Sequence, residues 1–131
     1  LHLDRRELAA IFSGGFVGAL ARGSLAQAFP YSAHQWPWIT FAVNVFGAGL
    51  LGYLVTRLHE RMPLSAYRRP LLGTGFCGAF TTFATMQLEL VRMLDVRDYS
   101  LAGGYVAASL AFGYLAVHLA TALTRRARMV R

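Results

Sequence analysis

A chain of 131 residues in which 56% are hydrophobic has room for one domain and carries more apolar side chains than a soluble core of that size uses. All 13 basic residues are arginine, set against 6 acidic ones for a net charge of +7. They gather at the ends of apolar blocks, which excludes a nucleic-acid-binding face in favour of a topology signal in lipid, and the single cysteine, Cys77, excludes an intrachain disulfide.

The first apolar block, Leu8 to Phe29, follows Arg5 and Arg6 and is interrupted only by Arg22. It reaches the roughly 17 to 25 residues that a helix needs to cross hydrocarbon, so residues 8–29 read as a span. A cleaved leader ending at Ala26-Gln27-Ala28 is the rival reading, and Arg22 so near the cut argues against it. Gly14, Gly18 and Arg22 recur every four residues and give a glycine stripe with a charged end. An arginine at such an end can snorkel to the interface.

The second span, residues 37–58, contains the uncharged run Trp38 to Thr56. Asn44 is followed at four-residue steps by Ala48 and Gly52, which sets an amide beside a smooth stripe where another helix can approach. That amide is either an interhelical hydrogen bond, typically worth about 1 kcal/mol or less, or a donor facing a ligand.

The third span, residues 70–92, is uncharged from Pro70 to Leu88, and its centre is the least helix-prone stretch of the chain. Gly73, Gly75 and Gly78 precede Thr81, Thr82 and Thr85. Spacing alone leaves two readings open: close packing through small residues, or a functional break in the helix. Glu89, at the end of the uncharged run, reads as an interfacial or paired carboxylate.

The fourth span, residues 99–124, lines up Tyr105 and Ser109 one turn apart, with Gly113 a further turn on. The joints are short and no separate soluble domain remains, so residues 1–131 form a single four-span domain. Ten arginines fall on the side shared by both termini and the second joint, and Arg22, Arg92 and Arg97 toward the other. The positive-inside rule therefore puts both termini in the cytoplasm, with Tyr31, Trp36 and Trp38 near the opposite interface. No phosphate-binding loop, zinc-ligand cluster or Ser/His/Asp set is visible, so the chain does not read as an enzyme.

Four stretches in order, GGFVGALAR (Gly14 to Arg22), WPWITFAVNVFGAGLLG (Trp36 to Gly52), GFCGAFTTFAT (Gly75 to Thr85) and GYVAAS (Gly104 to Ser109), resemble the Fluc family of fluoride channels, also called CrcB proteins. The resemblance covers nearly the whole chain. It implies an all-α membrane protein of four spans, the third broken at its centre, in an antiparallel homodimer in the cell (plasma or inner) membrane of a prokaryote. It further implies passive fluoride export through two pores, with Asn44, Phe83, Tyr105 and Ser109 on the pathway, Thr40, Thr82 and Thr85 as neighbours, and Arg22 near an aqueous end. A structural sodium ion is implied on the twofold axis, held by the carbonyls matching Gly78 and Thr81.

Three departures from that family's pattern stand out: Met86 in place of a second phenylalanine, Ala84 in place of a serine, and Gly113 in place of a hydroxyl. The arginine bias is large for a protein that inserts both ways, so a sister chain of opposite orientation is the alternative partner. A nonconducting partner subunit and a small proton-coupled multidrug exporter are the competing functions. The exporter needs a buried acid in the first span, where there is none.

Overall fold

The computed structural model describes residues 4–60 and 67–129. Of the arginines assigned to the terminal side, Arg61 and Arg131 lie outside the described residues, as does His2. Among the described residues all regular structure is helical: α1 (Arg5–Ala28), α2 (Trp38–Glu60), a π-helical segment (Pro70–Cys77), α3 (Gly78–Phe80), α4 (Phe83–Asp95) and α5 (Tyr99–Met129).

Helices α1, α2 and α5 are long and apolar enough to cross a membrane. At 1.5 Å per residue the 24 residues of α1 and the 23 of α2 extend about 35 Å each, enough for a hydrocarbon core about 30 Å thick. Asp4 starts α1 by accepting from the Arg6 N–H at 2.9 Å, which satisfies one of the orphan donors of the first turn. Helix α5 runs five residues past the expected end at Thr124, through Arg125 and Arg126. Arginine is a good helix former and complements the negative end of the helix dipole, so leaving the apolar run does not end the helix.

Between α4 and α5 the chain reverses without glycine. Arg97 takes the left-handed conformation at φ 60°, and the Asp98 and Arg97 N–H groups return to the carbonyls of Met93 and Leu94 at 2.9 Å each. That is the paired bonding of a Schellman cap, here with an arginine where glycine is commoner. Asp98 then accepts from the Leu101 N–H at 3.2 Å and opens α5.

Two close helix contacts organise the bundle. The glycine stripe of α1 lies on the π-helical segment: a Cβ on Gly14 would strike the Leu71 carbonyl, and one on Gly18 would come within 2.5 Å of the Phe76 carbonyl. Gly75 returns the approach against the Ile11 carbonyl. Helix α2 lies on α5 with Gly49 beside Ala116 and Gly52 beside Val117. Without these small residues the backbones could not approach, and in lipid close van der Waals contact is much of what joins helices. Buried Met93, Ala102 and Tyr105 form a small cluster, ringed by Tyr31, Trp36, Phe41, Met86, Leu90 and Leu101. Large apolar side chains such as Phe12, Phe16, Leu110 and Leu123 face outward, which is costly in water and ordinary in lipid.

Candidate functional site

The region of the third span is built from three helical pieces with two extended residues between the second and third. Thr81 (φ −76°, ψ 153°) and Thr82 (φ −148°, ψ 106°) leave helical geometry where α3 stops and α4 has not begun. A backbone that does this away from water must find other hydrogen-bond partners. Asn44 of α2 supplies two: its Oδ1 accepts from the Thr82 N–H at 2.8 Å and its Nδ2 donates to the Thr82 carbonyl at 3.2 Å. Arg22 of α1 supplies a third, its Nε donating to the Ala79 carbonyl at 3.1 Å. The Thr82 hydroxyl supplies the fourth, accepting from the Thr85 N–H at 3.1 Å as the N-cap of α4.

This reassignment leaves a particular remainder. In a continued α-helix the Thr82 N–H would return to the Gly78 carbonyl and the Thr85 N–H to the Thr81 carbonyl. Both donors are directed elsewhere, to Asn44 and to the Thr82 hydroxyl. Gly78 and Thr81 are therefore among the carbonyls that lose their helical donors at the break, and neutral oxygen ligands of this kind suit a hard cation. Gly78 is exposed, and a Cβ built on it meets nothing within 4 Å.

Two turns beyond the cap, α4 carries Glu89, which is buried. Thr40 of α2 donates to its Oε1 at 2.5 Å, and Tyr105 of α5 donates to its Oε2 at 2.8 Å. Each of the three helices therefore gives a pair of polar residues one turn apart: Thr40 and Asn44, Thr85 and Glu89, Tyr105 and Ser109. They form a polar seam from the extended residues to the carboxylate. The Ser109 Oγ is buried and has no hydrogen-bond partner among the described residues.

Other expected site residues lie around this seam. Phe83, the first residue of α4, is 69% exposed and lines an open groove of about 360 Å³ together with Asn44, Gly78, Thr81 and Thr82. Met86 packs against the Tyr105 cluster. Arg22, expected near an aqueous end, is tied to the Ala79 carbonyl.

One sequence reading needs correction. Asn44, Ala48 and Gly52 do not share one contact: Gly52 meets Val117 of α5, while Gly47 is the glycine under the extended residues, where a Cβ would strike the Thr81 methyl. Eight residues at about 100° each run some 80° past two whole turns, enough to move Gly52 to another face. Of the two readings of Glu89, interfacial or paired, the structure shows the paired one: Glu89 is buried and accepts from Thr40 and Tyr105. Its four-residue offset from Thr85 is the signal that could have placed it on the seam.

The seam offers hydroxyl and amide donors and no lysine, which is chemistry for holding a small anion without trapping it. Comparison with known proteins agrees in kind. The family model described as CrcB-like protein, Camphor Resistance (CrcB), matches residues 9–121. The chain is 57% identical over 128 residues to fluoride-specific ion channel FluC 1 of Mycolicibacterium paratuberculosis, covering 98% of this chain and 97% of that one. It is 59% identical over 129 residues to FluC 1 of Mycobacterium bovis, with the same shares covered. To the fluoride-specific ion channel FluC of Chlorobaculum tepidum it is 40% identical over 113 residues, covering 86% of this chain and 90% of the relative.

Proposed function

Because the chain belongs to the CrcB-like family, whose fluoride-specific channels it matches along nearly its whole length, we propose that it conducts fluoride passively out of the cytoplasm through two pores at an antiparallel dimer interface. The relatives are named as ion channels, in keeping with the reading that the chain is not an enzyme. The observation that carries the proposal is the extended pair Thr81–Thr82 held by Asn44. The extended backbone inside an apolar bundle is held by side chains of Asn44, Arg22 and Thr82, which is the construction expected where protein must face an ion.

Fluoride is small and holds its water tightly, so a pore must repay lost hydration with hydrogen-bond donors. Asn44 keeps one amide hydrogen beyond the bond to Thr82. Thr40, Thr82, Thr85, Tyr105 and Ser109 add hydroxyls, and Ser109 has no bond to give up. Phe83 presents an aromatic edge, positive enough to attract an anion and too weak to hold it. Met86 fills space beside the path with a polarizable thioether. Arg22 adds positive potential near the groove while its Nε holds the Ala79 carbonyl.

The Gly78 and Thr81 carbonyls fit the structural sodium ion that the family resemblance implies, since their usual helical donors are turned away. Two such carbonyls from each inverted subunit would give a hard cation four oxygen ligands and join the subunits at their broken spans.

The test is reconstitution of the purified chain, alone, into liposomes loaded with fluoride. Electrically coupled efflux without a proton gradient is the expected result, and Phe83→Ile slows it at least about tenfold, the order that a lost barrier contribution of about 1.4 kcal/mol produces. Silence of the chain alone, with efflux restored by a sister chain, would favour the heterodimer that the arginine bias suggests. Transport that requires a proton gradient would favour the exporter.

A further inference from the structure

A second cavity, of about 330 Å³, lies beneath the first joint. Tyr31 and Trp36 of the joint line it together with Thr40, Thr85, Glu89 and Arg92. The Tyr31 hydroxyl and the Trp36 Nε1 are both buried and have no hydrogen-bond partner among the described residues. An indole N–H can only donate, so Trp36 needs an acceptor. Glu89 lines the same cavity, but its oxygens take the Thr40 and Tyr105 hydroxyls and not the Trp36 N–H. Glu89 and Arg92 stand three residues apart on α4 with opposite charges, which offset each other within the cavity. The lining thus holds two buried donors, the Tyr31 hydroxyl and the Trp36 N–H, with no partner among the described residues.

We propose that this cavity is a second anion station, where a fluoride ion entering or leaving the seam is held by the Tyr31 hydroxyl and the Trp36 indole N–H. The inference rests on the proposed channel function and extends its path beyond Glu89. The Trp36 ring packs edge-on to Tyr105 with centroids 5.5 Å apart, and Tyr105 donates to Glu89, so the cavity adjoins the seam directly. Burial first, and the Glu89 carboxyl second, raise the Tyr31 hydroxyl above its ordinary range, against a smaller opposing effect of Arg92. Tyr31 therefore keeps its proton at neutral pH and remains a donor. An ion held between one hydroxyl and one indole can leave, because neither donor carries charge.

The experiment follows the Trp36 indole N–H by NMR in full-length protein in nanodiscs, ¹⁵N-labelled at tryptophan and carrying Trp38→Phe. Sodium fluoride is titrated against sodium chloride at constant ionic strength, and liposome efflux is measured for Tyr31→Phe and Trp36→Phe. The expected result is a saturable downfield shift with fluoride and not with chloride, weaker in Tyr31→Phe, with efflux slowed about three- to tenfold in each variant, the range for loss of one hydrogen bond. A resonance that ignores fluoride overturns the station, whatever the variants do to flux, and means that the cavity holds water only. If the parent protein fails to conduct, the channel reading falls separately; a fluoride-specific shift would then keep the anion site and its absence would remove both.

Discussion

An amide inside a bundle of apolar helices can bind a neighbouring helix or face a ligand, and Asn44 has the atoms for both. Its oxygen and one hydrogen hold Thr82 in extended geometry, and the second hydrogen is left for the proposed fluoride path. Asn44→Asp keeps the acceptor and removes both donors, stranding the Thr82 carbonyl and adding a negative charge. Fluoride efflux should fall by more than about tenfold and stability by about 1 to 3 kcal/mol; normal efflux and an unchanged melting temperature in detergent would mean that the donor half is idle. Glu89→Leu leaves the buried Thr40 and Tyr105 hydroxyls without their acceptor and should cost about 1 to 3 kcal/mol for each. Glu89→Gln, which can still accept one hydroxyl and donate to the other, should cost clearly less, so equal melting temperatures for the two would contradict this arrangement. Asn44 was conspicuous in the sequence because an amide is rare in an uncharged run. Glu89 was not, because a carboxylate directly after such a run looks like the end of the membrane.

At the scale of elements, the third span explains why some of the fold was legible and some was not. Charge-free runs marked where chain could cross lipid, and the glycine stripe of α1 indicated which face would be approached. The π-helical form of Pro70–Cys77 could not be read, because wide and ordinary turns share the same apolar composition. Nor could spacing decide between packing and a break, since glycine and threonine serve both. The structure contains both uses: Gly14, Gly18 and Gly75 permit contact, while Thr81 and Thr82 carry the extended backbone. The division predicts a contrast within one helix. Gly18→Val should cost about 1 to 3 kcal/mol or prevent assembly, because the Phe76 backbone cannot give way. Gly23→Ala, where a Cβ meets nothing within 4 Å, should be neutral or stabilise by up to about 1 kcal/mol. Comparable losses of monodisperse protein in both variants would show that the α1 contact is not where the glycines matter.

For the molecule as a whole, the seam and the groove meet at Asn44 and the extended residues. Asn44 and Thr82 border the groove that holds Phe83, and Thr85 borders the cavity under the joint. Under the proposed function these residues border one path, whose remaining wall would come from an inverted partner. If sodium on the Gly78 and Thr81 carbonyls joins the two subunits, exchange of sodium for a large organic cation should lower the melting temperature and raise the monomer fraction in detergent. The resemblance pointed to this whole because four motifs in order carry information that no single span holds. The sequence does not decide the orientation of a partner, since arginine counts favour one insertion and the proposed inverted dimer requires two. The most direct test of the central claim is the reversal potential of the purified chain in a planar bilayer, with fluoride on one side and chloride on the other. The account predicts current that reverses far toward the fluoride equilibrium potential and vanishes when fluoride is replaced by chloride on both sides; reversal near zero, or an equal current in chloride alone, would contradict it.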